Sequence, residues 1–134
     1  MSTVKIAEKK LWVDETAIPL FSGEVHYWRL DPANWRPVLR RAREMGLQII
    51  ATYVCWDFHE IEPGRYDFLG ETDPRRNLLA FLDLLTSEGF WIILRPGPYI
   101  YSECAIMACR TTQPGNIAST LNSSVVRSLI CARW

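Results

Sequence analysis

Three short stretches of this chain hold side chains whose chemistry could be combined: Ser22–Arg29 with Glu24 and His26, Thr52–Glu60 with Tyr53, Trp56, Asp57 and His59, and Leu94–Glu103 with Arg95, Tyr99, Ser102 and Glu103. Carboxylates near imidazoles suit proton transfer or metal binding, whereas carboxylates near tyrosine, serine and tryptophan suit the binding of a polyol. A metal site would draw on Glu24, His26, Asp57, His59 and Glu60. Against it, His59-Glu60-Ile61-Glu62-Pro63 lacks the second histidine of a His-Glu-x-x-His helix, and no other ligand spacing is regular. The sequence therefore predicts no metal and no cofactor. Both histidines are expected to bond backbone or neighbouring carboxylates and so order the ends of strands. Arg95 is expected to pair with Glu24 or another inward carboxylate, because a charge withdrawn from water needs a partner.

The elements that must hold these stretches can be read from periodicity. Val4–Trp12 and Ala17–Tyr27 are rich in β-branched and aromatic residues around the turn formers Val13–Thr16, which predicts a short lead-in β-hairpin and then a first main strand. Asp31-Pro32 signals a helix start, and Trp35, Val38, Leu39, Ala42 and Met45 recur at helical spacing up to Gly46. Pro37 predicts a separate turn at Pro32–Trp35 before that helix. The arginines opposite the stripe are expected to be a solvated face. Leu47–Val54 reads as a buried parallel strand, and Thr72-Asp73-Pro74 as a second cap. Leu78, Phe81, Leu82 and Leu85 then form a second stripe closed by Gly89, and Trp91–Leu94 a third strand. Trp12, Trp35 and Trp91 are assigned to the core. The order β, α, β, α, β is an α/β pattern shared by doubly wound sheets and (β/α)₈ barrels. No Gly-x-Gly-x-x-Gly or phosphate loop follows the first strand.

Composition narrows the partners. The chain has 134 residues and a formal net charge of zero, which gives no electrostatic footprint for nucleic acid. No apolar run is long enough for a membrane span and the start lacks a signal-peptide core, so a cytoplasmic location is the expectation. Cys55, Cys104, Cys109 and Cys131 form no Cys-x-x-Cys pair and are expected to be free thiols.

Taken together, Ser22-Gly23-Glu24-Val25-His26-Tyr27-Trp28-Arg29, Thr52-Tyr53-Val54-Cys55-Trp56-Asp57-Phe58-His59-Glu60 and Leu94-Arg95-Pro96-Gly97-Pro98-Tyr99-Ile100 closely resemble glycoside hydrolase family 35, the retaining β-galactosidases. Cys55 and Trp28 are mild departures from the family's usual residues. The resemblance implies the first three βα units of a TIM barrel over residues 1–103, and a galactoside or oligosaccharide as substrate. It also implies that Tyr53, Ser102 and Glu103 contact the terminal galactose, with Tyr99 and Trp56 stacking against or shaping the sugar site. The family's catalytic glutamates come from later strands, and its Asn-Glu acid/base pair is absent from this sequence. A catalytic role is therefore assigned to no residue here. Two alternatives to a glycosidase by descent remain at this point: a non-catalytic carbohydrate-binding or interaction module, and the metal-dependent enzyme already disfavoured. The sequence does not fix an oligomeric state.

All fifteen acidic residues fall at or before Glu103, and from Cys104 to Trp134 the charged side chains are Arg110, Arg127 and Arg133 alone. Residues 104–134 are expected to be an irregular, frameshifted tail, the competing reading being a divergent C-terminus. Trp and Cys codons share their first two bases, so a base lost from a Trp codon yields Cys104. The shifted triplet across Met107 and Ala108 is then glycine without ambiguity, followed by an aliphatic residue and an available proline, the order the family has there. Sequencing the gene from the codon for Glu103 tests this: one inserted base at codon 104 should restore a long family-like frame, and failure of every single-base insertion contradicts it.

Overall fold

The computed structural model describes residues 3–96, so the expectations placed on Tyr99, Ser102, Glu103 and the 104–134 tail lie outside the described residues. The chain opens with three antiparallel strands, β1 (Val4–Ala7), β2 (Lys10–Val13) and β3 (Thr16–Pro19). This meander replaces the single hairpin expected. The missed turn is Glu8-Lys9, where both residues take positive φ (53° and 57°), as a type I′ hairpin turn requires. Glu and Lys are not the residues that announce such a turn.

The main sheet is parallel, in the order β4 (Ser22–Glu24), β5 (Ile49–Tyr53), β8 (Trp91–Arg95). The first strand is thus shorter than the expected Ala17–Tyr27. Its chain turns after Glu24, and Tyr27–Arg29 forms a 3-10 turn. A Cβ at Gly23 would meet Leu47 Cδ1 at 2.4 Å, so a larger residue there would require the Leu47 side chain to shift.

Helix α1 (Pro32–Glu44) connects β4 to β5, capped by the Asp31 carboxylate on the Ala33 N–H. It runs unbroken through Pro37, against the separate turn expected. Pro37 leaves the Ala33 carbonyl without its usual donor, but both residues are exposed, so water can satisfy it. Met45 is 78% exposed at the helix C-cap and does not join the buried stripe of Trp35, Leu39 and Ala42. Helix α3 (Leu78–Ser87) connects β5 to β8. Its cap is Asn77, which accepts from the Ala80 N–H at 2.9 Å; Asp73 caps a preceding 3-10 turn instead. Between β5 and α3 lie a single helical turn α2 (Trp56–His59) and the small hairpin β6 (Glu60–Glu62) and β7 (Arg65–Tyr66).

Alternation along the strands sorts the two faces of the sheet. Val25, Ile50, Ile92 and Leu94 pack with Trp35 and Leu39 of α1 and with Phe81 and Leu85 of α3 in the main core. On the opposite face, Ile49 and Trp91 meet Val13 and Ile18 of the meander, which closes the N-terminal end of that face. Trp12 is only half-buried, its indole N–H donating to the Ala7 carbonyl at 3.2 Å. The same face is open further along, where Ile93 is 43% exposed. Among the described residues no helix is long and apolar enough to cross a membrane.

Pro37→Ala should stabilise the fold. Removing a proline from a helix interior returns about 3 kcal/mol, and the freer unfolded chain takes back about 1 kcal/mol. A gain near 2 kcal/mol in urea unfolding is expected; a loss would show that the proline ring is needed for packing.

Candidate active-site edge

In the parallel register Glu24 lies beside Ala51, which lies beside Ile93, and Tyr53 lies beside Arg95 two residues further along. Even spacing puts Glu24, Tyr53 and Arg95 on one face, the face whose far end the meander closes. They meet at the C-terminal strand ends. Arg95 Nη2 lies 3.1 Å from Glu24 Oε2, and Arg95 Nη1 donates to the Tyr53 hydroxyl at 2.6 Å. The guanidinium also sits over the Tyr53 ring, 4.0 Å from its centroid. The expected pairing of Arg95 with Glu24 is therefore present. His26 stacks with Tyr53 at 6.1 Å and tilts against Trp28 at 4.8 Å, and its Nε2 lies 3.9 Å from Glu24 Oε1. Of the predicted sugar-contacting residues, Tyr53 is in this cluster. Trp56 begins α2, is buried, and donates its indole N–H to the Pro96 carbonyl at 2.6 Å, which ties α2 to the segment leaving β8.

Behind this edge is a buried network that sequence reasoning only partly anticipated. His59 has no exposed surface; its Nδ1 lies 2.5 Å from the Asp67 carbonyl and its Nε2 lies 2.5 Å from the Tyr27 hydroxyl. A carbonyl can only accept, so Nδ1 carries the proton, Nε2 is the acceptor, and Tyr27 donates. Burial, with Cys55 adding to it, holds the Tyr27 phenol protonated. Burial likewise lowers the His59 pKa to about 4, and Arg76 adds to the lowering while the bond to Asp67 opposes it. Both ring nitrogens are thus occupied, in keeping with the ordering role expected for this histidine. Among the described residues no group of three or more candidate ligands is placed to hold a metal.

Asp67 organises the loop before α3. Its carboxylate accepts from the backbone N–H of Leu69, Gly70, Glu71 and Thr72 and from the Thr72 hydroxyl at distances of 2.6 to 3.1 Å. Burial raises the Asp67 pKa, but the Thr72 hydroxyl and these N–H groups outweigh it and hold the carboxyl well below the usual range. Asp67 was missed in the sequence. The available signal was an aspartate followed at three and five residues by glycine and threonine, an arrangement suited to a side chain wrapping its own loop.

Residues 10–106 match the profile of glycosyl hydrolases family 35. The chain belongs to that family. An exo-beta-D-glucosaminidase from Thermococcus kodakarensis is 41% identical over 103 residues, covering 77% of this chain and 13% of that protein. A beta-1,2-glucosyltransferase from Ignavibacterium album is 46% identical over 84 residues, 63% of this chain and 12% of its own. A beta-galactosidase from Bos taurus is 44% identical over 82 residues, 61% and 12% respectively. The chain thus spans 12% to 13% of the length of these relatives. Among solved structures, an endocellulase–cellotetraose complex from Pyrococcus horikoshii is similar at a TM-score of 0.47 and 15% identity, over 72% of this chain and 32% of that one, too slight a likeness to fix the fold. All three stretches that carried the resemblance fall within the matched span, and they meet at the strand ends through Glu24, Tyr53 and Arg95.

The His59 network should make this fold acid-sensitive. Its ring titrates near 6.5 when unfolded and near 4 when folded, so between these values the unfolded chain binds a proton that the folded chain does not. Stability is full above about pH 6.5 and should fall by roughly 3 kcal/mol towards pH 4. The Asp67 contribution is lost only at lower pH, as its depressed carboxyl is protonated. Urea unfolding at stepped pH should show this slope in the wild type and lose it in His59→Gln, whose remaining acid loss begins in the carboxylate range. An unchanged slope in His59→Gln would assign the loss to other groups.

Proposed function

We propose that the chain is the N-terminal part, the first three βα units, of a (β/α)₈-barrel glycoside hydrolase acting with retention on terminal non-reducing β-D-galactosyl residues. In this reading it supplies part of the sugar-binding wall and not the reacting carboxyl pair. The observation that carries it is the convergence of Glu24, Tyr53 and Arg95 at the C-terminal ends of three parallel strands, the end at which barrel enzymes hold their sites. A complete barrel needs about 250 residues. The helices α1 and α3, each joining parallel strands and packed on one face, fit the start of such a barrel.

The galactosyl specificity rests on the motif resemblance, since the related proteins are variously named glucosaminidase, glucosyltransferase and galactosidase. Tyr53, Ser102 and Glu103 are the proposed contacts to the sugar hydroxyls, with Trp56 and Tyr99 shaping the site. Retention requires two carboxyl groups about 5 to 5.5 Å apart, one as acid/base and one as nucleophile. No acidic residue follows Glu103 in these 134 residues, and Glu24 is held in an ion pair with Arg95. The chain by itself then binds a galactoside weakly and leaves the glycosidic bond intact.

Incubating the purified chain with 4-nitrophenyl β-D-galactoside should release no nitrophenol above the enzyme-free rate. Turnover that persists in Glu103→Gln would place catalytic groups elsewhere in the chain and contradict the reading.

A further inference from the structure

We propose that Arg95, held in place by Glu24, is a positioning residue that turns the Tyr53 hydroxyl into an obligatory hydrogen-bond donor toward a sugar oxygen. The proposal rests on the reading that Tyr53 faces the sugar. A guanidinium has N–H donors and no acceptor. Arg95 Nη1, 2.6 Å from the Tyr53 oxygen, therefore donates and occupies a lone pair of the phenol. The phenol's own proton cannot point back at Nη1, so it is turned outward to whatever acceptor the open face presents. Free tyrosine either donates or accepts; this one is left only the donor role for a strong contact.

Three further observations fix the arrangement. Nη2 is anchored 3.1 Å from Glu24 Oε2, which sets the rotation of the guanidinium plane. The Arg95 Cζ atom lies 4.0 Å from the Tyr53 ring centroid, and the His26 ring stacks 6.1 Å from it, so the ring is gripped as well as the hydroxyl. Parallel pairing places Tyr53 and Arg95 side by side on adjacent strands, a rigid mounting for both. The cluster is only partly withdrawn from water, with Arg95 and Glu24 side chains 38% and 40% exposed, so a ligand can reach it. Such a donor recognises any sugar oxygen with a free lone pair and discriminates against a deoxy position, where that partner is missing.

The test is a double-mutant cycle on the full chain, with affinity for methyl β-D-galactoside measured by NMR titration. Tyr53→Phe and Arg95→Met should each weaken binding about tenfold, near the upper value of one lost hydrogen bond. The double variant should be no weaker than either single variant, because both remove the same contact. Arg95→Lys, which keeps a donor, should recover part of the affinity, a rescue that mere loss of packing does not produce. Should Arg95→Met fail to fold by circular dichroism, Arg95→Lys and Glu24→Gln carry the test, each with a loss that disappears in the Tyr53→Phe background. Additive losses, or a loss with Tyr53→Phe alone, overturn the positioning role and leave the sugar-site reading standing. A wild-type chain that binds no galactoside overturns that reading and this proposal together.

Discussion

The arrangement of this chain follows from one constraint: a half-buried guanidinium at the end of a parallel strand finds its charge partner across the sheet. Arg95 ends β8, and the carboxylate that meets it comes from β4, with β5 between them. The pair exists only if all three strands are in register, since a slip of one residue would turn any of these side chains to the helix face. Tyr53 on the central strand is then unavoidably between them, under the guanidinium and bonded to it. The helices and the meander can be understood as what keeps that register. Helix packing buries one face, the meander closes the N-terminal end of the other, and the polar groups remain where the second face is open.

A second layer holds the loops rather than the strands. Tyr27 follows β4, His59 ends α2, and Asp67 lies beyond β7, yet one hydrogen-bonded path joins them. Because His59 is neutral and wholly buried, that path links two of the segments leaving the strand ends without placing a charge in the core. Asp67 carries a full negative charge in this layer, and four backbone N–H groups and the Thr72 hydroxyl stabilise it locally, with the Arg76 guanidinium donating to that hydroxyl. The chain thus separates two polar systems: a partly exposed ion pair at the strand ends and a buried network that shapes the loops.

Much of this was legible in the sequence because the governing signals are local or periodic. The stripes through Trp35, Leu39 and Ala42 and through Phe81, Leu82 and Leu85 give both crossover helices, and the apolar run at Ile49–Tyr53 gives the central strand. The pairing of Arg95 with Glu24 followed from the cost of an unpartnered charge. What was illegible depends on competition between signals or on distant contacts. Pro37 is a helix breaker by type, but exposure of Ala33 lets water take over the lost bond. Asp73 and Asn77 are both capping residues four positions apart, and only the extra 3-10 turn decides between them. The bond from Tyr27 to His59 spans 32 residues and leaves no mark in either local sequence.

The most direct test of the central claim is to map a galactoside onto the folded chain, by recording side-chain and backbone NMR shifts of the labelled protein with and without methyl β-D-galactoside. The account predicts shifts at Tyr53, Arg95 and Glu24, at the C-terminal ends of the three strands, with the meander at Val4–Pro19 and the outer face of α1 unmoved. Shifts centred on the meander or on α1, or none at the strand ends at saturating sugar, would contradict it.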